Sequence, residues 1–199
     1  MAMQTRPNIE KLVLRGGVTE ILLSLAIASL LCAELVMAGG APGASEAQLK
    51  AVFVLNFAKY VIWPEAAFPS ATAPITIGIM GTDPFEEHLQ NTVQGKSVHG
   101  RPFVIKHLAD DSPLSGCQIL FISHSEADRM GGILDRAGAL PILTVGEDEM
   151  FARHGGIINF VLKNGNVRLE IDLASARRAG LTISSQLLAV ADVVKGKAN

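Results

Sequence analysis

Residues 75–80, ITIGIM, form a continuous β-rich run without the regular apolar-charged alternation of a half-wet strand. A run of this kind belongs to a strand buried on both faces, and such strands sit in parallel sheets covered by helices on each side. Further strands are expected at 103–108 (FVIKHL), 118–123 (QILFIS) and 142–145. Helix signals separate them. Asp83 is placed to cap a helix over 85–92 with Pro84 at its first position, and Gly95 lies just past its end. Ser125 is placed to cap a helix through Ala137 that stops at Gly138, and a short helix is expected around 148–153.

Gly155-Gly156 opens a different pattern. Runs at 157–162 and 167–171 flank Lys163-Asn164-Gly165-Asn166, and an Asn-Gly turn between two apolar runs signals a β-hairpin. A closing helical region is expected over 174–194, broken at Gly180 and restarted by Ser184, with Leu187, Leu188, Ala191 and Val194 on one face. The chain is therefore expected to be a three-layer α/β domain with a mixed, mostly parallel sheet and a C-terminal antiparallel hairpin.

Upstream, Arg6, Lys11 and Arg15 precede an apolar run over 21–32 (ILLSLAIASLLC). About a dozen residues suit a secretory signal and fall short of a membrane span. Val36-Met37-Ala38 fits a cleavage site, giving a signal over 1–38, a flexible leader over 39–47 and a single domain over 48–195. An uncleaved anchor is the rival reading. The stretch 48–63 (QLKAVFVLNFAKYVIW) is apolar around most of its circumference and runs into Pro64, which disfavours helical geometry at Trp63. It is expected to be the first helix of the domain, with a surplus apolar face for a partner.

The net charge of the 199-residue chain is −2, and no basic tract or basic-aromatic stripe marks a nucleic-acid surface. Of the two cysteines, Cys32 leaves with the signal. Cys117 then has no partner within the chain in an oxidising compartment. It reads as a small buried hydrophobe, with an intermolecular disulfide or redox sensor as the alternative.

Ligands of α/β sheets gather at strand carboxyl ends. Here those ends carry Gly81-Thr82-Asp83, Ser123-His124-Ser125 and Gly146-Glu147-Asp148. A crevice formed by Gly81, Thr82, Asp83, Ser123 and His124 is therefore one candidate ligand site. The nucleotide-binding glycine patterns are missing, as is the GxSxG elbow of a hydrolase using Ser123, His124 and Asp148. His88, His99, His107 and His154 show no ligand spacing, so neither a metal nor a cofactor is expected. Glu86-Glu87 and Glu147-Asp148-Glu149 fall where first helical turns favour carboxylates. Polar residues on otherwise apolar elements are more suggestive. Asn56 and Lys59 on the first helix, Arg168 and Glu170 on the hairpin, and Arg177 and Arg178 before Gly180 can rim an apolar contact surface.

In order, the blocks AVFVLNFAKYVIWP, ITIGIMGTDPF, CQILFIS, LTVGEDEMFARHGGIINFV and VRLEIDLASARRAGLTISSQLLAVA resemble the YfiR-like periplasmic regulators over residues 48–191. The resemblance implies a non-enzymatic, secreted inhibitor. It would bind the periplasmic sensor domain of an inner-membrane diguanylate cyclase and lower cyclic di-GMP. It also implies a homodimer, and an outer-membrane lipoprotein that can sequester the regulator. Asn56, Phe57, Trp63, Gly155, Gly156, Arg168, Asp172, Ser184 and Ser185 match the family's pattern, and Trp63 joins the candidate partner-binding residues on that basis. The chain departs from the pattern at Gly78, where a first-strand cysteine is common, and it lacks the cysteines of a second disulfide near the hairpin. Two rival functions are a periplasmic small-ligand sensor using the crevice and a secreted hydrolase using Ser123 or His124.

Overall fold

The structure is a computed structural model that describes residues 45–196. The expected signal over 1–38, and the leader up to residue 44, lie outside the described residues. Helix α1 (Glu46–Tyr60) is followed by β1 (Val61–Ile62), β2 (Ile75–Met80), α2 (Phe85–Val93), β3 (Ser97–Val98) and β4 (Arg101–His107). Then come β5 (Ile119–Ile122), α3 (Met130–Ala137), β6 (Leu143–Gly146), β7 (Ile158–Lys163) and β8 (Asn166–Asp172). The C-terminal part holds α4 (Leu173–Arg178), β9 (Thr182–Ile183), α5 (Ser185–Leu188) and β10 (Ala191–Val194).

Eight strands form one sheet in the order β10-β8-β7-β6-β5-β2-β4-β3, while β1 and β9 pair separately. The neighbours are parallel except β7 with β8 and β3 with β4. Every residue of β2, β5 and β6 is buried, as their uninterrupted apolar runs require. One face of the sheet packs under α1 and α2, through Val54, Phe57, Phe85 and Leu89. The other packs under α3, through Met130, Ile133 and Leu134. This is the expected three-layer, mixed and mostly parallel α/β architecture.

Helix α1 begins two residues before the expected start. Ser45 and Gln48 form a reciprocal capping box, with the Gln48 N–H donating to Ser45 Oγ and the Ser45 N–H to Gln48 Oε1. It also ends three residues early. Val61 and Ile62 leave the helix to pair antiparallel with Ile183 and Thr182, so strand pairing takes the chain before Pro64 acts. Beneath the helix, Phe53, Phe57 and Phe160 form a mutual cluster, with ring centroids 6.3, 5.9 and 6.1 Å apart.

Three expected elements differ. Ser123, not Ser125, accepts the capping N–H, and it caps a single 3-10 turn over His124–Glu126, so α3 starts only at Met130. The expected short helix around 148–153 is a series of turns. Their purpose is to seat Phe151, whose ring lies where a Cβ on Gly146 or Gly156 would sit, at 2.3 and 2.1 Å. The expected closing helix over 174–194 is two short helices and two strands, and its last residues form β10 against β8. Val193 and Val194 are β-branched, and pairing with Ile171 and Asp172 satisfies their backbone better than a solvated helix would. The Asn-Gly hairpin is as expected: φ is 53° at Asn164 and 73° at Gly165, the left-handed pair of a type I′ turn.

Candidate functional site

The chain leaves β2 for β4 on one side and returns to β5 on the other, so the carboxyl ends of β2 and β5 form a topological switch point. Gly81, Thr82 and Ser123 meet there. Gly81 has φ of +85°, and Ser125 Oγ lies 2.3 Å from where its Cβ would be. The Thr82 N–H, free in principle to hold an anion, donates to Ser125 Oγ at 3.1 Å. Ser123 Oγ donates to the Thr82 carbonyl at 2.9 Å. The chain's own hydroxyls thus take up the polar groups of the crevice. Asp83 Oδ1 accepts the Phe85 N–H at 2.7 Å, which fixes the start of α2. The exposed His124 ring faces Asp148, Nδ1 to Oδ2 3.3 Å, while Ser123 turns to a carbonyl, so the hydrolase arrangement is not assembled.

Beside the crevice lies a cluster that sequence reasoning missed. Lys50 of α1 is 8% exposed, and its Nζ lies 2.6 Å from both Glu46 Oε1 and Glu147 Oε2. The His124 N–H reaches Glu147 Oε1 at 3.3 Å, and Asp83 shares a hydrogen bond with Glu147. Burial, followed by the hydrogen bond to Glu147, pushes the Asp83 carboxyl up to about 6. Burial works against ionised Glu147 as well, but hydrogen bonds from Asp83 and Lys50 outweigh it and hold Glu147 below the ordinary range. Burial also opposes the Lys50 charge, and the two glutamates overcome it and raise that group. The cluster ties α1 to the ends of β2 and β6. One signal for Lys50 was in the sequence, a lysine at the start of an apolar helix. Its partner Glu147 is 97 residues away, and no local pattern links them.

The remaining candidate residues occupy separate parts of the fold. Asn56 is half-buried and Lys59 exposed on α1, whose Val52 is 46% exposed. Trp63 donates its indole N–H to the Gln118 carbonyl at 3.1 Å and lines a cavity of about 190 Å³ with Ile62, Phe68 and Arg101. Arg168 and Glu170 alternate with the buried Leu169 and Ile171, so they lie on the hairpin face turned away from α1. Glu170 pairs with Lys163 at 3.2 Å. Arg177 and Arg178 are both exposed, and Arg178 is also tied down: its Nη2 donates to Ser175 Oγ at 2.6 Å, and Ser175 donates to Asp172 Oδ2 at 2.5 Å. Asp172 also caps α4 and Ser184 caps α5, which accounts for both as structural. Among the described residues, no group of three or more His, Cys, Asp and Glu side chains is placed to hold a metal ion. No described helix is long and apolar enough to cross a membrane.

Residues 47–192 match the YfiR/HmsC-like family along nearly the whole described domain. The chain belongs to the YfiR/HmsC-like family. Among solved structures, the YfiR/HmsC-like chain is similar to a conserved domain protein from Vibrio cholerae O1 biovar El Tor. The TM-score is 0.53 and the identity 14%, over 76% of this chain and 60% of that one. The similarity shows the fold, and this chain spans 60% of the other's length. A search of curated proteins found no match. Cys117 is a free, buried thiol. A Cβ on Gly78 would lie 3.2 Å from Cys117 Sγ, so the two positions are adjacent.

Proposed function

We propose that this chain is a periplasmic, non-enzymatic regulator that binds the periplasmic sensor domain of an inner-membrane diguanylate cyclase and represses it. Family membership over residues 47–192 carries this reading. The exposed apolar side chains Val52 of α1 and Leu162 of the hairpin are consistent with it. Repression needs no chemistry on the regulator: it must bind the inactive conformation of the cyclase more tightly than the active one, which shifts the population and lowers cyclic di-GMP. Asn56, Lys59, Trp63, Arg168, Glu170, Arg177 and Arg178 are the proposed rim residues, with Arg178 acting through its hold on α4. The N-terminal signal delivers the chain to the periplasm, where a homodimer and an outer-membrane lipoprotein that sequesters it complete the proposed system. The crevice reading, a small-ligand sensor, has less support because Ser125 and Ser123 already bond the polar groups of Thr82.

Photocrosslinking of the chain in native membranes, with the captured protein identified by mass spectrometry, tests the reading. A diguanylate cyclase captured through its periplasmic domain is expected. Capture of no cyclase from a membrane that contains one would contradict it.

A further inference from the structure

Strand β6 stops early beside a longer hairpin. Only Val145 and Gly146 pair with β7, at Ile158 and Asn159, whereas β7 pairs with β8 through Lys163. The two-residue turn makes Lys163 and Asn166 the narrow, hydrogen-bonded pair. Alternation then turns the N–H and C=O of Leu162 away from β8, toward the space that β6 vacates. Bare edges in natural sheets are normally guarded by a lysine, a proline or a covering loop. Here the edge residue is Leu162, 60% exposed.

The vacated space is a groove of about 420 Å³. Phe160, Leu162 and Val167 give it an apolar wall. Four carboxylates, Glu46, Glu147, Glu149 and Glu170, outnumber two lysines, Lys50 and Lys163. Both lysines are already committed, Lys50 to Glu46 and Glu147, and Lys163 to Glu170 and Asp192. The same pairs engage Glu46, Glu147 and Glu170, so the lining keeps a net negative excess with Glu149 outside those pairs. An occupant that supplies a strand's backbone, apolar side chains and positive charge fits it.

We propose that the notch beside Leu162 receives an extended segment of a partner protein, alternating basic and apolar residues, which adds to the sheet in the line of β6. Main-chain bonds to Leu162 supply affinity, and the carboxylate rim selects a basic segment. The inference rests on the reading of the chain as a binding protein and identifies where and what it binds.

The test uses the full chain and blocked peptides of about six residues, one alternating Lys and Val and one alternating Glu and Val. Binding is measured by calorimetry, and amide hydrogen exchange is followed at Leu162. The Lys/Val peptide is expected to bind at least about tenfold more tightly than the Glu/Val peptide and to slow Leu162 exchange. Leu162→Lys and Glu149→Lys change exposed positions, and each is expected to weaken that binding about fivefold or more. Equal binding of the two peptides, no binding, or unchanged exchange at Leu162 overturns the proposal. So does protection of Leu162 that grows with protein concentration without peptide, since a second copy then fills the notch. No cyclase takes part, so failure here leaves the regulator reading standing, whereas failed membrane capture with successful peptide binding removes only that reading.

Discussion

Lys50 Nζ and Glu147 Oε2 lie 2.6 Å apart, closing an ion pair between the first turns of α1 and the end of β6. Both side chains are nearly out of solvent, at 10% and 12% exposure, and Glu46 and Asp83 press on the same pair. A part-buried pair of this kind costs desolvation to form, so losing one partner is worse than losing both.

Lys50→Met is accordingly expected to destabilise the domain by about 2–4 kcal/mol, because it leaves Glu147 buried beside Asp83 without a cation. The double variant Lys50→Met/Glu147→Leu is expected to recover more than half of that loss. Urea unfolding of the two singles and the double gives the coupling energy.

Asp83 makes stability depend on pH in a defined window. Its folded value, about 6, lies above the ordinary 3.8, so its contribution is fully present below about pH 4 and is lost as pH rises through 6. Asp83→Asn keeps an acceptor for the Phe85 N–H and never ionises. The variant and the parent are expected to match near pH 4. At pH 7 the variant is expected to be more stable by about 1–2 kcal/mol, after discounting for partial exposure. The lowered value of Glu147 acts in the opposite sense in acid, and the amide introduced at position 83 can still donate to that carboxylate. Thermal unfolding from pH 4 to 8 measures the difference.

Cys117 is 5% exposed, and burial pushes its thiol up, with Lys106 opposing weakly. In the folded chain it is expected to react with a disulfide reagent at least about a hundredfold more slowly than after unfolding. Gly78→Cys is expected to form a bond to Cys117 under oxidising conditions, since the added Cβ lies 3.2 Å from Sγ. Leu108, whose Cδ1 would sit 2.6 Å from that Cβ, must give way. A thiol titration that still finds two free groups would count against the adjacency.

Gly156→Ala is expected to cost about 1–3 kcal/mol by overpacking, because the new methyl meets the Phe151 ring at 2.1 Å. The pair Gly156→Ala/Phe151→Leu tests whether the ring is the cause. Partial recovery in chemical denaturation is the expected outcome.

The layered fold was legible in the sequence because its central strands announce themselves. ITIGIM admits no wet face, and Asn164-Gly165 demands a tight turn. The C-terminal segment is ambiguous in sequence because Leu187, Leu188, Ala191 and Val194 fit a helical face by spacing. Only pairing with β8 decides that residues 191–194 are a strand. The capping box at Ser45 and Gln48 is a local sequence signal for the start of α1. The crevice positions Gly81, Thr82 and Ser123 came together as strand ends should. The Lys50–Glu147 contact depends on the order of strands, which one sequence does not encode locally. The candidate rim residues on α1, β8 and α4 share polarity on apolar elements, and polarity alone does not place them on one surface.

Cellular cyclic di-GMP, measured in the native host with and without the gene and with the gene restored, tests the regulator reading most directly. Deletion is expected to raise the nucleotide several-fold, and restoration to return it to the starting level. An unchanged level after deletion, in a strain that expresses its membrane cyclase, would contradict the account.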